Sequence, residues 1–303
     1  MAPRDPAVRH IGRLMLPGVA GLAVTQVNVF VGMLLASFQV QGSVAALGYA
    51  FRLVQFPIGV VGVSVATGAL PVMAAAMARD AVEEMKRVLQ DSLRLAVFFA
   101  LPSMVGLILF RIPILVVLFQ RGAFTRAATA LTASILLAYA LGLTFYIANR
   151  ILAPAFYAMH DTWTPVSTGM VSVAVNILAS LLLMGPLGTA GLALATAVAS
   201  ACNCLQLSLR LRRRIGRLGT RRLLHAAGRA GLACLPMAAW GVLAEHWLGS
   251  LPATGALIKA LLLGGELAVA VALFSVTARF LGCEELGWTL DLLRRRRHKP
   301  FPA

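Results

Sequence analysis

The sequence predicts an all-α, polytopic membrane protein with about eight transmembrane helices. Two observations carry that prediction. Of the 303 residues, 59% are hydrophobic and only 13% charged, with mean hydropathy +0.84. A soluble domain carries about 25% charged residues, so this chain lacks the polar surface that water needs to solvate a globule. The apolar residues also fall in runs of roughly 20, the length at which 1.5 Å per helical residue crosses a hydrocarbon core of about 30 Å. The runs are rich in Leu, Ala, Val and Gly and lack the short alternating pattern of outer-membrane strands.

Taken in order, the predicted spans are 14–38, 43–77, 93–110, 127–153, 166–184, 187–209, 223–244 and 256–281. A further apolar piece, 112–119, is too short to cross. The first run follows Arg13 and is too long for a signal-peptide core, so it is expected to stay as an anchor. Pro57 is expected to bend the second helix, because it removes one backbone hydrogen bond and clashes with the preceding turn. Gly185-Pro-Leu-Gly188 reads as a tight turn. The longest polar loop holds about a dozen residues, so no soluble domain is expected, and no internal repeat is visible.

The net charge of +16 does not point to nucleic acid. The basic residues sit in short runs between apolar spans, where the positive-inside rule accounts for them. An even number of spans puts both termini on one side. With the N-terminus cytoplasmic, that side holds Arg4, Arg9, Arg13, Arg79, Lys86, Arg87, the cluster Arg210, Arg212, Arg213, Arg214, Arg217, Arg221 and Arg222, and the tail Arg294–Arg297 with Lys299. The opposite loops hold Arg111, Arg121 and Arg126, a ratio of 18 to 3. Cytoplasmic termini are therefore expected. The basic clusters would also attract anionic headgroups. Cys202, Cys204, Cys234 and Cys283 are too few and too oddly spaced for a disulfide framework or a zinc site, and read as buried small hydrophobes.

Few residues could carry chemistry. Arg52 lies about nine residues, or about 13 Å, into the second span. A lone arginine there costs at least about 2.5 kcal/mol on insertion scales. Either it faces a wet cavity or an anionic partner, or it snorkels to the interface along its stem. Glu266 is near the middle of the last span, with Lys259 two turns away. Arg150, near the end of the fourth span, reads as an anchor. Gln26, Asn28, Gln55 and Asn176 are uncharged polar residues in spans, whose default role is interhelical hydrogen bonding. The five histidines are scattered, no Walker A sequence occurs, and no Asp, Glu or His cluster marks a membrane enzyme. No enzymatic activity, cofactor or bound metal is expected.

Five strings, however, share one resemblance: Gly42-Ser-Val-Ala-Ala-Leu-Gly-Tyr-Ala-Phe-Arg-Leu-Val-Gln-Phe-Pro-Ile-Gly59, Leu70-Pro71, Phe119-Gln-Arg-Gly-Ala-Phe-Thr125, Leu152-Ala-Pro-Ala-Phe-Tyr157 and Asp161-Thr-Trp-Thr-Pro165. Together they resemble the MurJ/MviN family of lipid II flippases, within the multidrug/oligosaccharidyl-lipid/polysaccharide exporter superfamily. The similarity is collinear from about residue 11 to 215; beyond 223 it rests on hydropathy. It implies that the chain corresponds to helices seven to fourteen of a fourteen-helix, two-lobed fold. Residues 1–215 would be the C-terminal lobe with six helices, 216–293 two additional helices, and 294–303 a basic cytoplasmic tail. The expected setting is the bacterial cytoplasmic membrane, and a chain of this length would be half a transporter that needs a separately encoded N-terminal lobe as partner.

By the same resemblance, Arg52 is the cavity arginine that meets the lipid-linked diphosphate, with Gln55, Gln26 and Asn28 as companion substrate-binding residues. A guanidinium suits that role through its permanent charge and planar fork. The residue before it is often acidic in relatives and is Phe51 here. Asn176 and Thr196 resemble positions where some relatives are thought to hold sodium, and with Glu266 they are expected to form an ion or polar core. Gly32 and Ser180 stand where a carboxylate would help, so sodium is not expected. The last two helices would form a groove for the undecaprenyl tail. Function is therefore expected to be flipping of lipid II by alternating access. The alternatives are a non-transporting scaffold or partner subunit in envelope synthesis, and an exporter of another polyprenyl-linked glycan or of amphipathic drugs.

Overall fold

In the computed structural model, all regular structure among the described residues is helical. The structure describes residues 26–216, 218–249 and 256–289, together with Ala23, with backbone alone for 245–249 and Ala256. The helices are α1 (Gln26–Ser37), α2 (Ser43–Pro57), a π-helical segment (Ile58–Val63), α3 (Ser64–Ala78), α4 (Val82–Leu109), α5 (Arg111–Phe119), α6 (Arg126–Leu141), α7 (Leu143–Ala158), α8 (Trp163–Leu187), α9 (Thr189–Ile215), α10 (Thr220–Gly249) and α11 (Ala256–Phe280). A short helix over 284–289 follows. Six spans are long and apolar enough to cross a membrane, and the bent α6–α7 pair makes a seventh. Helix α1 is the described part of the first predicted span. Arg4, Arg9, Arg13, Arg217 and the tail Arg294–Lys299 lie outside the described residues.

Two expectations need correction. The fourth span is not one straight helix over 127–153. It runs from Arg126 to Ala158 and bends by 45° at Gly142. A Cβ added to Gly142 would sit 2.7 Å from the Ala197 Cβ on α9 and 2.7 Å from the Tyr146 ring. The bend therefore forms where α9 presses against a residue without a side chain. At Pro57 the second span changes its winding without a break. The helix runs on continuously from Ser43 to Ala78, with a π turn over Ile58–Val63 directly after the proline. Proline cannot donate to the preceding turn; the Ile58 N–H donates to the Val54 and Gln55 carbonyls, and the helix widens beyond it. The third span also starts earlier than hydropathy indicates. Its first turns carry Glu83, Glu84, Lys86 and Arg87 and project past the apolar stretch.

Packing divides into two apolar clusters that share α4. The larger holds Ala50, Val54, Met73, Leu89, Ala96, Ile135, Leu136, Ile147 and Leu211, joining α2, α3, α4, α6, α7 and α9. The smaller holds Phe98 and Phe110 with Ala233, Met237, Ala270 and Phe274, and seats α10 and α11 on the opposite side of α4. Hairpins close the far end, away from the basic loops. Gly42 (φ 90°) and Gly188 (φ 55°) take left-handed turns there, as the glycine-proline string predicted for the second. The Ser43 and Thr189 hydroxyls, both buried, pair at 2.7 Å across those turns. All ion pairs among the described residues lie at the basic end: Arg79–Glu84, Lys86–Glu83, Arg94–Glu284, Arg94–Glu285 and Arg214–Asp161. The four cysteines are free thiols, two of them buried.

Candidate functional site

The α2 sequence sorts cleanly by face. Ser43, Ala46, Ala50, Val54 and Pro57, spaced three or four apart, are buried. The opposite stripe, Gly48, Arg52, Gln55 and Gly59, is exposed. An added Cβ at Gly48 or Gly59 would meet nothing within 4 Å. Arg52 thus stands on a bare face between two glycines, with Gln55 one turn further on. Its guanidinium carbon lies 5.8 Å from the Tyr49 ring centroid, a cation–π contact, and no ion pair reaches it among the described residues. Neither α1, α2, the π segment, α3, α6 nor α7 contains a single Asp or Glu. The charge is uncompensated by its own surroundings, which is what an anion site requires.

Phe51, the neighbouring residue, stacks at 5.5 Å against Tyr139. It borders a cavity of about 220 Å³ between α1, α2, α6, α8 and α9 that Gly48 also lines. Asn28, Gly32, Asn176, Ser180 and Thr196 share that cavity. The Asn176 amide donates to Asn28 Oδ1 at 2.7 Å, while Thr196 donates back to the Leu192 carbonyl at 3.0 Å. Asn176 Oδ1 is buried without a protein partner. Asn28 therefore sits with Asn176 and Thr196, not beside Arg52. Gln26 is exposed at the start of α1.

The cavity tests the sodium reading directly. Its oxygens are amides and hydroxyls, and α1, α8 and α9 carry no carboxylate. A desolvated cation needs compensating charge or a full set of free oxygens. One amide oxygen already accepts a hydrogen bond, and the hydroxyls and the second amide oxygen are neutral, with Gly32 offering no side-chain ligand at all. The residues do not fit sodium; they fit a hydrogen-bonded polar core. Among the described residues no cluster of His, Cys, Asp or Glu could hold a metal.

Glu266 belongs to a different place. Helix α11 packs on α10, α5 and α4, so Glu266 does not join Asn176 and Thr196. Its Oε2 is buried without a partner, as is the Trp240 indole nitrogen on α10.

Sequence reasoning missed two polar clasps at the basic end. Arg94 on α4 donates to Glu285 at 2.9 Å and to Glu284 at 2.8 Å, and lies 5.0 Å from the Trp288 ring centroid. Nothing local in the sequence marks that pairing across 190 residues. Asp161 caps α8, accepting from the Thr164 N–H at 2.9 Å and its hydroxyl at 2.6 Å, and pairs with Arg214 at 2.6 Å. Partial burial works against its charged form, yet the Thr164 hydrogen bonds and Arg214 outweigh it and hold the carboxyl below its ordinary value. An Asp three residues before Thr at the head of an apolar run was the available signal. Arg210 adds a hydrogen bond to the Ser167 hydroxyl at 2.6 Å.

Comparison with known proteins adds the following. The family model described as lipid II flippase MurJ matches residues 1–274. A probable lipid II flippase MurJ of Rhizobium tropici is 35% identical over 98% of this chain and 56% of its own length. One from Vibrio cholerae is 34% identical over 66% of this chain and 38% of its own length. The chain thus spans about half the length of the curated relatives it matches. Among solved structures, a lipid II flippase MurJ in an inward closed conformation superposes with TM-score 0.70 at 28% identity, covering 90% of this chain and 55% of that one. A MATE family transporter of the MOP superfamily, outward-facing, gives TM-score 0.57 at 19% identity over 91% of this chain and 66% of its own length, a likeness of fold alone.

Proposed function

The chain belongs to the lipid II flippase MurJ family, and from that premise we propose that it forms one half of a two-lobed transporter of lipid II. Residues 1–215 would be the C-terminal lobe, 216–293 two additional helices, and 294–303 a basic tail. The second lobe would come from a partner or from further chain. The observation that carries the reading is Arg52, a fixed positive charge inside a membrane span on a face that no described helix covers. In this proposal Arg52 pairs with the diphosphate of the undecaprenyl-linked precursor. Gln55, one turn away, donates to the same headgroup. Rocking of the two lobes exposes the site to alternate sides, so transport needs no covalent chemistry.

The protein is integral to the membrane, and we place it in the bacterial cytoplasmic membrane with both termini cytoplasmic. The excess of Lys and Arg on the loops at one end supports that orientation. The exposed apolar residues of α10 and α11, among them Leu235, Val242, Leu257 and Leu261, suit a groove for the lipid tail while the headgroup crosses. Gln26 and Asn28 are weaker substrate contacts in this view, since Asn28 is engaged with Asn176. The test is complementation of a flippase-depleted cell with the complete transporter carrying Arg52→Ala or Arg52→Lys at matched membrane abundance. Loss with Ala and partial recovery with Lys are expected. Normal growth with Arg52→Ala would refute the role of Arg52. A protein that supports growth only through association with unrelated synthases would favour a scaffold.

A further inference from the structure

We propose that a cavity at the far end of α2 receives the glycan of the diphosphate-linked precursor, while the diphosphate is held next to it at Arg52. The inference rests on the flippase reading above and adds a second contact region with residues of its own. The cavity, of about 770 Å³, lies between the start of α2, the end of α5 and the start of α6. That is the size of a small-molecule site, about 300–1,000 Å³. Two of the strings that carry the family resemblance meet there. The first supplies Tyr49, and the third supplies Phe119, Arg121, Phe124 and Thr125. Gly122, at φ 58°, turns the chain between the two phenylalanines. Their ring centroids lie 6.0 Å apart, and the Tyr49 ring lies 4.8 Å from Phe119 and 5.4 Å from Phe124.

Arg52 stands one turn beyond Tyr49 on the same stripe. Ala45 and Tyr49 line the cavity, and at about 100° per residue Ala45, Tyr49 and Arg52 fall within about 60° of one another. The cation–π contact at 5.8 Å ties the guanidinium to a ring of the cavity wall. A glycosyl diphosphate bonds its first sugar directly to a phosphate, so phosphates at Arg52 leave that sugar within reach of Tyr49. The lining suits it. Aromatic faces pack against the C–H face of a sugar ring, and Gln41, Arg121 and Thr125 offer polar groups to its hydroxyls. Arg121 Nη2 donates to the Val117 and Leu118 carbonyls at 3.3 and 3.2 Å, and the guanidinium has further N–H groups to give. Thr125 Oγ1 accepts the Ala128 N–H at 3.2 Å and can still donate its proton. No lining residue among those described is acidic, so nothing there repels a carboxylate or phosphate. An acyl tail suits the cavity less, because it would desolvate these polar groups without bonding them. The glycan therefore reaches the far side while the diphosphate is still paired at Arg52.

The test compares three lipids on the full chain by native mass spectrometry in detergent: undecaprenyl diphosphate, lipid II, and lipid II without its peptide. Both glycan-bearing lipids should bind about 10-fold tighter than undecaprenyl diphosphate, or about 1.4 kcal/mol. This comparison uses the wild type and needs no variant to fold. Ala123→Trp fills the cavity from an exposed loop position and should erase the preference. Phe124→Leu keeps apolar bulk without the ring and should cut the preference to about 3-fold. Both variants should bind undecaprenyl diphosphate as the wild type does, whereas Arg52→Ala should weaken all three lipids alike. Equal binding of the three by the wild type, a preference that survives both cavity variants, or one lost with the peptide overturns the proposal and leaves the role of Arg52 intact. No binding of any of the three, or no effect of Arg52→Ala, removes the flippase reading as well.

Discussion

Replacing Arg94 with alanine should detach the segment after α11 from α4. Arg94 reaches Glu285, whose side chain is 3% exposed, and Glu284, whose side chain is 62% exposed. The two pairs should differ sharply in worth. Losing a partner from a buried pair strands a charge and costs about 3–5 kcal/mol; an exposed pair contributes about 0–1 kcal/mol. Arg94→Ala should therefore destabilise the junction by about 3 kcal/mol or slightly more, because the cation–π contact with Trp288 goes too. Glu284→Gln should cost under about 1 kcal/mol. Adding Glu285→Gln to Arg94→Ala should recover most of the loss, since no carboxylate is then left buried alone. Hydrogen exchange of amides over 281–289, in membranes, reads local opening; about 3 kcal/mol corresponds to more than a hundredfold faster exchange. Equal effects of Arg94→Ala and Glu284→Gln, or no recovery in the double variant, would refute the argument that burial of Glu285 sets the strength of the clasp.

Other outcomes follow from the same geometry. Gly142→Ala should lower thermal stability in detergent by about 1–3 kcal/mol, because its new methyl meets the Ala197 Cβ at 2.7 Å. An unchanged melting temperature would mean that α9 is not pressed on the bend. Asp161→Ala should cost about 1 kcal/mol through the lost cap of α8. The Asp161 carboxyl is held below its ordinary value of 3.8, so its contribution is complete above that value and fades as pH falls through the lower folded one. A wild-type minus Asp161→Ala stability difference that grows on acidification would contradict this. Ser43→Ala should weaken the far-end hairpin by about 0.6 kcal/mol through loss of the bond to Thr189, read as a shift in detergent melting.

Much of this architecture was legible because hydropathy reports on lipid contact. Every predicted span with described residues falls on a helix or, for the fourth, on a bent pair of helices, and Gly188 turns where the glycine-proline string placed a turn. What hydropathy could not register was shape within a span. Gly142 is one of many glycines in apolar helices, and only the approach of Ala197 makes it a bend. Pro57 was visible as a break in hydrogen bonding, but the π turn that follows it left no mark in hydropathy. The site divided in the same way. Arg52 and Gln55, three apart on one helix, were bound to share a face. Asn28 and Asn176 lie 148 residues apart in sequence, and a single chain gives no measure of that proximity. Glu266 was grouped with Asn176 and Thr196 by polarity alone, and polarity carries no address.

The π turn after Pro57 puts the two halves of the long span out of phase. A regular α-helix would continue the buried stripe of Ala50, Val54 and Ile58 through positions 61, 65, 68 and 72. The buried residues are instead Gly62, Ala69, Met73 and Ala76, displaced by one residue. One surplus residue is thus held in the turn, and it turns α3 by about 100° relative to α2. Removing a single residue between Ile58 and Val63 would erase that offset. With α3 still seated on its own neighbours, Arg52 would swing by the same angle off the bare face. The bearing of the charge is set by a residue count six positions away, not by anything that touches it.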